Sequence, residues 1–252
     1  MDGDPLALTA LLVWCFAVAV AGGTVGLVLG NIRLPAVVAV ASSPAAGAGA
    51  NIGISGAAAL AAAIVHVRGG RIDWRVFAWM TPPSVAGALI GGYAAGLLPD
   101  AVLLAVIGTT LLYFGFDLLR RRERRSATED QDGPDLVALA LAGLGIGLLG
   151  GLIGLILGAL RMPALLRWHG GSAHRAVGTN LSVGVCVGVA GVIGHTPAGV
   201  DWEVLALGAA ASVPGALLGA RLTGRLSERA LLRAIGAMLV VAGTAMLAQA
   251  AL

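Results

Sequence analysis

Charge is absent over long stretches of this chain. Leu6–Ile32, Leu34–Val67, Val76–Pro99, Leu136–Leu160, Ala176–Val200 and Ala234–Leu252 contain no Asp, Glu, Lys or Arg. Each reaches the ~18 residues that mark a membrane-crossing helix. Ala101–Phe116 and Val204–Ala220 are shorter and rely on their flanks to span. The runs predict an all-α polytopic membrane protein with four helical segments in each half, eight in all.

The halves repeat. Gly26-Leu27-Val28-Leu29-Gly30-Asn31-Ile32-Arg33-Leu34-Pro35 returns half the chain later as Gly154-Leu155-Ile156-Leu157-Gly158-Ala159-Leu160-Arg161-Met162-Pro163. Gly22, Gly26 and Gly30 are four apart and predict one small-residue helix face, as do Gly150, Gly154 and Gly158. Proline suits a first helical position, so a short helix is predicted to open at Pro35 and again at Pro163. After a turn, a long helix is expected from Gly49-Ala50-Asn51, and its counterpart from Gly178-Thr179-Asn180, with the register of the repeat shifted by one. These helices end at His66 and His195. Third helices follow from about Val76 and Val204. The predicted organisation is a first repeat over 1–119, a charged linker over 120–135 and a second repeat over 136–252.

Composition agrees with this picture. Only 12% of the 252 residues are charged and 58% are hydrophobic, against roughly 25% charged for a soluble domain. All 16 basic residues are arginine, mostly at run ends, so the net charge of +3 reads as orientation and not as a nucleic-acid surface. The linker begins with five Arg in six residues, which places it in the cytoplasm by the positive-inside rule and the protein in the cell membrane. The acidic start, Met1-Asp2-Gly3-Asp4-Pro5, lacks a basic leader, so the first run is read as a retained span. Cys15 and Cys186 match no metal spacing and read as buried free thiols. No metal or other cofactor is implied.

Charge bias inverts between the halves. Arg68, Arg71 and Arg75 follow the second helix of the first half; Arg221, Arg225, Arg229 and Arg233 surround the turn after the third helix of the second. That is the signature of inverted repeats. Four full crossings per half would instead give parallel repeats. Inversion therefore requires that one Gly/Pro-broken segment per half be re-entrant, or that the short Pro35 and Pro163 segments count as crossings. Such broken segments belong at the repeat interface, where non-helical backbone can be buried.

The Gly-rich junctions and the runs Arg161-Met162-Pro163-Ala164-Leu165 and His174-Arg175-Ala176-Val177-Gly178-Thr179-Asn180-Leu181 resemble those of TauE/SafE-type membrane transporters. The likeness covers nearly the whole chain, that family being a duplicated four-helix unit. Its pattern, roughly Gly-x-Gly-Gly-Gly leading to Pro, keeps only Gly26 and Gly30 in the first copy, and Gly154 and Gly158 in the second. Val28-Leu29 and Ile156-Leu157 replace the middle pair. The resemblance implies a permease or exporter of sulfite, a sulfonate or a related small anion.

The chemistry of the junctions fits that implication. A helix start offers free N–H groups and the positive dipole end, and a guanidinium binds an oxyanion through parallel hydrogen bonds. Arg33 and Arg161, with Asn51, Thr179 and Asn180 and the Gly30, Gly158, Pro35 and Pro163 positions, are the expected substrate-binding set. The bland alternative is that each Arg snorkels to the headgroups. His66 and His195 are candidates for proton coupling, against interfacial histidines as the plainer reading. Expected partners are the small anion, the bilayer and a second copy in a homodimer, with no nucleic acid.

Two other readings compete. One is a non-transporting membrane scaffold. The other is a rhomboid-like intramembrane serine protease, because Gly53-Ile54-Ser55-Gly56 matches its short motif and His195 would supply the base. The aligned second copy, Ser182-Val183-Gly184-Val185, lacks that motif. The chain is therefore not expected to be an enzyme. A fluorophosphonate probe is expected to leave Ser55 unlabelled, and mass-spectrometric detection of the adduct at Ser55 would establish the protease instead.

Overall fold

The structure, a computed structural model, describes residues 5–93, 100–120, 135–153, 155–168 and 172–251. Among these residues there are ten α-helices and no strand. They are α1 (Pro5–Val25), α2 (Gly30–Val40), α3 (Pro44–Arg68), α4 (Trp74–Tyr93), α5 (Asp100–Arg120), α6 (Leu136–Ile153), α7 (Gly158–Trp168), α8 (Ala173–His195), α9 (Trp202–Thr223) and α10 (Glu228–Ala250). A 3₁₀ turn at Thr196–Ala198 follows α8. Seven helices are long and apolar enough to cross a membrane, including α5 and α9 from the two shorter runs. The exception among the long helices is α4, which carries Arg75 and the Pro82-Pro83 pair. Large apolar side chains such as Leu60, Trp79, Val106 and Leu141 are exposed on the outer faces, as a lipid boundary requires.

The first apolar run is two helices, not one. Gly26 stands at φ 70 and ends α1, and the Leu27 N–H donates to the Gly22 carbonyl at 2.9 Å. This is the six-to-one bond of a Schellman cap, with glycine at the left-handed position. Leu155 makes the equivalent bond to Gly150 at 2.8 Å; Gly154 lies outside the described residues. The glycines at 22, 26 and 30 therefore share no helix face. Away from water every carbonyl at a helix end needs a partner, and the cap supplies one where the chain breaks inside the protein.

The prolines also stand elsewhere than predicted. The short helices open at Gly30 and Gly158, so Pro35 and Pro163 are their sixth residues. A proline there removes the hydrogen bond to the carbonyl four residues back. For Pro35 that carbonyl is Asn31, and the Gln249 side chain of α10 donates to it at 3.2 Å. Pro44 does open a helix, at the start of α3, with Ser43 as the N-cap accepting from Ala46. α8 likewise begins at Ala173, capped by Ser172. Both long helices start more than a turn before the predicted positions, because a serine cap outranks a glycine-rich start. Each half thus has five helices where four were predicted: four long and one short.

Glycine lets the helices approach closely. In α3 and α8, Gly56 packs against Gly188, a side chain at Gly49 would meet His195, and one at Gly178 would meet His66. The two helices therefore run antiparallel. So do α5 and α10, with Gly108 on Gly243 and Gly115 on Gly236. In contrast α1 runs parallel to α9, through Gly23, Gly215 and Gly219, and α6 parallel to α4, through Gly147, Gly87 and Gly91. The packed pairs are unchanged when the halves are exchanged: α1 on α9 becomes α6 on α4, and α3 on α9 becomes α8 on α4.

This arrangement gathers arginine at one end. The α3–α4 loop meets the start of α8, through Arg71 beside Gly178, and the end of α9, through Arg71 beside Gly224. Arg68, Arg71, Arg75, Arg175, Arg221, Arg225 and Arg229 gather at or near this end, all half-buried or exposed. Arg120 closes α5 against the early turns of α10. The opposite end is acidic, with Asp201 and Glu203. Residues 121–134, which form nearly all of the predicted linker, lie outside the described residues.

Asp201 is both the N-cap of α9 and a clasp on the α2–α3 turn. Its carboxylate accepts from Val204 N–H at 3.1 Å and from Ser42 N–H at 2.9 Å. The Ser42 N–H, above all, holds the carboxyl below its ordinary value of 3.8. The bound form is the charged one, so its stabilisation is complete above about pH 4 and fades as pH falls below that. Asp201→Ala is expected to cost about 0.5–2 kcal/mol in thermal unfolding in detergent. Asp201→Asn is expected to keep most of the cap and lose this acid sensitivity. An Asn variant with the parent's pH profile would show that the carboxylate does not act in this way.

Candidate functional site

Two arginines are buried among the described residues, Arg33 at 2% exposure and Arg161 at 0%. The other ten described arginines are half-buried or exposed. Burial decides against the snorkelling alternative, because a snorkelling guanidinium reaches water. Each is the fourth residue of a short helix that begins inside the protein, α2 after the uncapped Leu29 and α7 after Leu157. A cation in the first turn of a helix is on the disfavoured side of the dipole. No carboxylate among the described residues pairs with either guanidinium. Positive potential therefore accumulates at two repeat-related points in the interior.

Asparagine holds each arginine. The Arg33 Nε donates to Asn51 Oδ1 at 3.0 Å and its Nη2 to the Asn51 carbonyl at 3.1 Å. Asn51 Nδ2 donates to the Gly30 carbonyl at 3.1 Å. In the second half the Arg161 Nε donates to Asn180 Oδ1 at 3.1 Å. Asn180 Nδ2 donates to the carbonyls of Gly158, at 2.9 Å, and Gly26, at 2.7 Å. Asn180 thus ties the second junction to the break in the first. A methyl at Gly30 would meet Ser55 Oγ and Asn51 Nδ2, and one at Gly158 the Val28 N–H and Asn180 Nδ2. Glycine at 30 leaves room for Asn51 and Ser55, and glycine at 158 for the Val28 backbone.

The asparagines do not act at helix starts, as predicted. They are the eighth residues of α3 and α8, and they act through their side chains and, at Asn51, the backbone carbonyl, with no free helix-start N–H. Thr179 is buried, but its hydroxyl accepts from the Asp73 N–H at 3.0 Å and serves the α3–α4 loop. Pro163 is buried; Pro35 is exposed on the outside of α2. His66 and His195 stand at opposite ends of the antiparallel α3–α8 pair, so they form no common relay. His66, in the last turn of α3, is fully buried in the protein with both ring nitrogens unpartnered; His195 bonds the Gly191 carbonyl. Cys15 and Cys186 are free thiols.

Ser55 partners Arg33, a role absent from the predicted binding set. Its hydroxyl accepts from Arg33 Nη2 at 2.5 Å, and His195 is occupied at one end of α8. The serine–histidine pair of the protease reading does not form. The signal was available in the spacing: Ser55 is one turn beyond Asn51 and faces the same side of the helix.

Arg33 and Ser55 line a crevice of about 20 Å³ between α1, α3, α8 and α9, walled by Val28, Ala59, Leu181 and Ala216. It has room for about one water, so an oxyanion enters only if these helices separate.

A protein-family model described as "Sulfite exporter TauE/SafE" matches residues 11–246. Among curated proteins and solved structures nothing matches.

Losing a buried partner costs about 1–3 kcal/mol for each group stranded. Asn180→Ala strands the Gly26 and Gly158 carbonyls and the Arg161 Nε. It is expected to lower the melting temperature far more than Ser182→Ala, whose hydroxyl returns only to Gly178 in its own helix. Equal melting of the two variants would remove Asn180 as the tie between junctions.

Proposed function

The chain belongs to the TauE/SafE sulfite exporter family, and we propose that it carries a small oxyanion such as sulfite or a sulfonate across the membrane, bound between its halves at Arg33 and Arg161. It is a multi-pass membrane protein of a transporter family. The observation that carries the finer reading is the pair of buried, repeat-related guanidinium groups without a carboxylate partner among the described residues. An uncompensated buried cation is costly, and an anion that enters supplies the missing charge. The scaffold reading leaves these two groups without a purpose.

In this reading residues 1–119 and 136–252 are inverted repeats joined by a cytoplasmic linker at 120–135. The antiparallel pairs α3–α8 and α5–α10 support inversion. The arginine-rich end supports a cytoplasmic face by the positive-inside rule, and with it the cell membrane. Five helices per half reconcile an odd number of segments with the inverted charge bias.

Energy is supplied by the membrane potential. A translocated charge gains ~2.3 kcal/mol per 100 mV, so a negative interior drives an anion outward. The separation of His66 and His195 argues against their acting as one proton relay.

Sulfite flux is expected in proteoliposomes with a clamped potassium-diffusion potential and no pH or sodium gradient, reversing when the potential reverses. Arg161→Gln is expected to weaken sulfite binding by about 1.5–3 kcal/mol, and the Arg33→Gln/Arg161→Gln double variant to carry none. Normal flux in the double variant sinks the site. Flux that ignores the potential, follows a pH gradient and vanishes with both histidines replaced would put proton coupling in its place.

A further inference from the structure

The two halves of the site are not equivalent. In the first, Arg33 Nη2 donates to Ser55 Oγ and to the Asn51 carbonyl. In the second, Arg161 Nη2 is fully buried and has no partner. Arg161 Nη2 lacks the counterparts of both bonds, and for the serine bond the reason is one residue. Asn51 and Ser55 are four apart in α3; their counterparts in the second repeat are Asn180 and Gly184 in α8, also four apart. The asparagine is kept and the serine is not.

Gly184 leaves usable space. A Cβ built there would lie 3.6 Å from Arg161 Nη2, 3.4 Å from Val28 and 3.7 Å from Ala59, all ordinary contacts. A methyl group fits, and its distance from Nη2 puts the hydroxyl of a serine there within hydrogen-bond reach. Val28 and Ala59, which a Cβ at Gly184 would touch, also wall the crevice that holds Arg33 and Ser55. A buried charged donor left unmade is costly, and nothing in the packing forbids the serine that would satisfy it.

Resting on the oxyanion-carrier reading and narrowing its site from two arginines to one, we infer that Arg161 is the arginine that binds the anion, that Gly184 is the specificity position that keeps its Nη2 free, and that Arg33 is a structural latch closed by Ser55. The protein then has one oxyanion site, not two symmetric ones. The ligand presents an oxygen to Arg161 Nη2 and sits against the Val28–Ala59 wall. Its charge replaces the counter-ion that Arg161 lacks.

The test compares Gly184→Ser with Gly184→Ala, which occupies the same space without an acceptor. Sulfite uptake is measured in proteoliposomes, and sulfite binding to the purified full chain by calorimetry. The Ser variant is expected to show a KM at least tenfold above that of the Ala variant, and the unsubstituted protein to bind one equivalent of sulfite. Should the Ser variant fail to fold, Ser55→Gly carries the test, because unlatching Arg33 is expected to raise the stoichiometry to two. Equal KM values for the Ser and Ala variants, two equivalents bound by the unsubstituted protein, or one equivalent bound after Ser55→Gly each overturn the asymmetry while leaving the carrier reading intact. No flux of sulfite or any small sulfonate in the unsubstituted protein overturns both.

Discussion

A guanidinium inside a helical bundle must have its hydrogens accepted, and in this protein that requirement organises the centre. Each buried arginine is held by an asparagine one helix away. Each asparagine then needs backbone carbonyls for its own amide, and it finds them at the chain breaks, where a carbonyl past a helix end is free and one at a helix start can accept on its second lone pair. The breaks at Gly26 and before Gly30 and Gly158 supply them. Arginine, asparagine and broken helix form one arrangement, used twice.

That arrangement survives in lipid because nothing in it is open to the bilayer. The Schellman bond at Gly22–Leu27, its copy at Gly150–Leu155 and the Gln249 contact to Asn31 each take up a carbonyl that regular helix would have bonded. Around them glycine lowers the distance between helix axes, and close packing replaces the hydrophobic drive that lipid does not provide. The same residue type thus has two roles: at Gly26 it permits a left-handed turn, and at Gly56 and Gly188 it permits contact between backbones.

Symmetry governs the scaffold, and its local failure bears on the site. Helix order, packing pairs and the bond from arginine Nε to asparagine Oδ1 repeat between the halves. Ser55 opposite Gly184, and exposed Pro35 opposite buried Pro163, do not. A carrier that moves one ligand through one path has no need of two identical hands, whereas a folded bundle benefits from every repeated contact.

Much was legible in the chain itself. Uncharged runs longer than a bilayer leave no alternative to spanning helices, and a repeat at half the chain length pairs Arg33 with Arg161 and Asn51 with Asn180 without any coordinates. The inverted charge bias was legible too, since loop arginines are spaced by the same helices that alternate sides. Helix starts were not, because apolar runs carry no internal punctuation: proline at 35 looked like an opening, and the serine caps at 43 and 172 decided otherwise. The burial of the two arginines, the latch at Ser55 and the free donor beside Gly184 depend on which helix faces which. That is set by contacts between residues far apart in the chain, such as Gly56 on Gly188, and no local pattern encodes a contact whose other half lies in the opposite repeat.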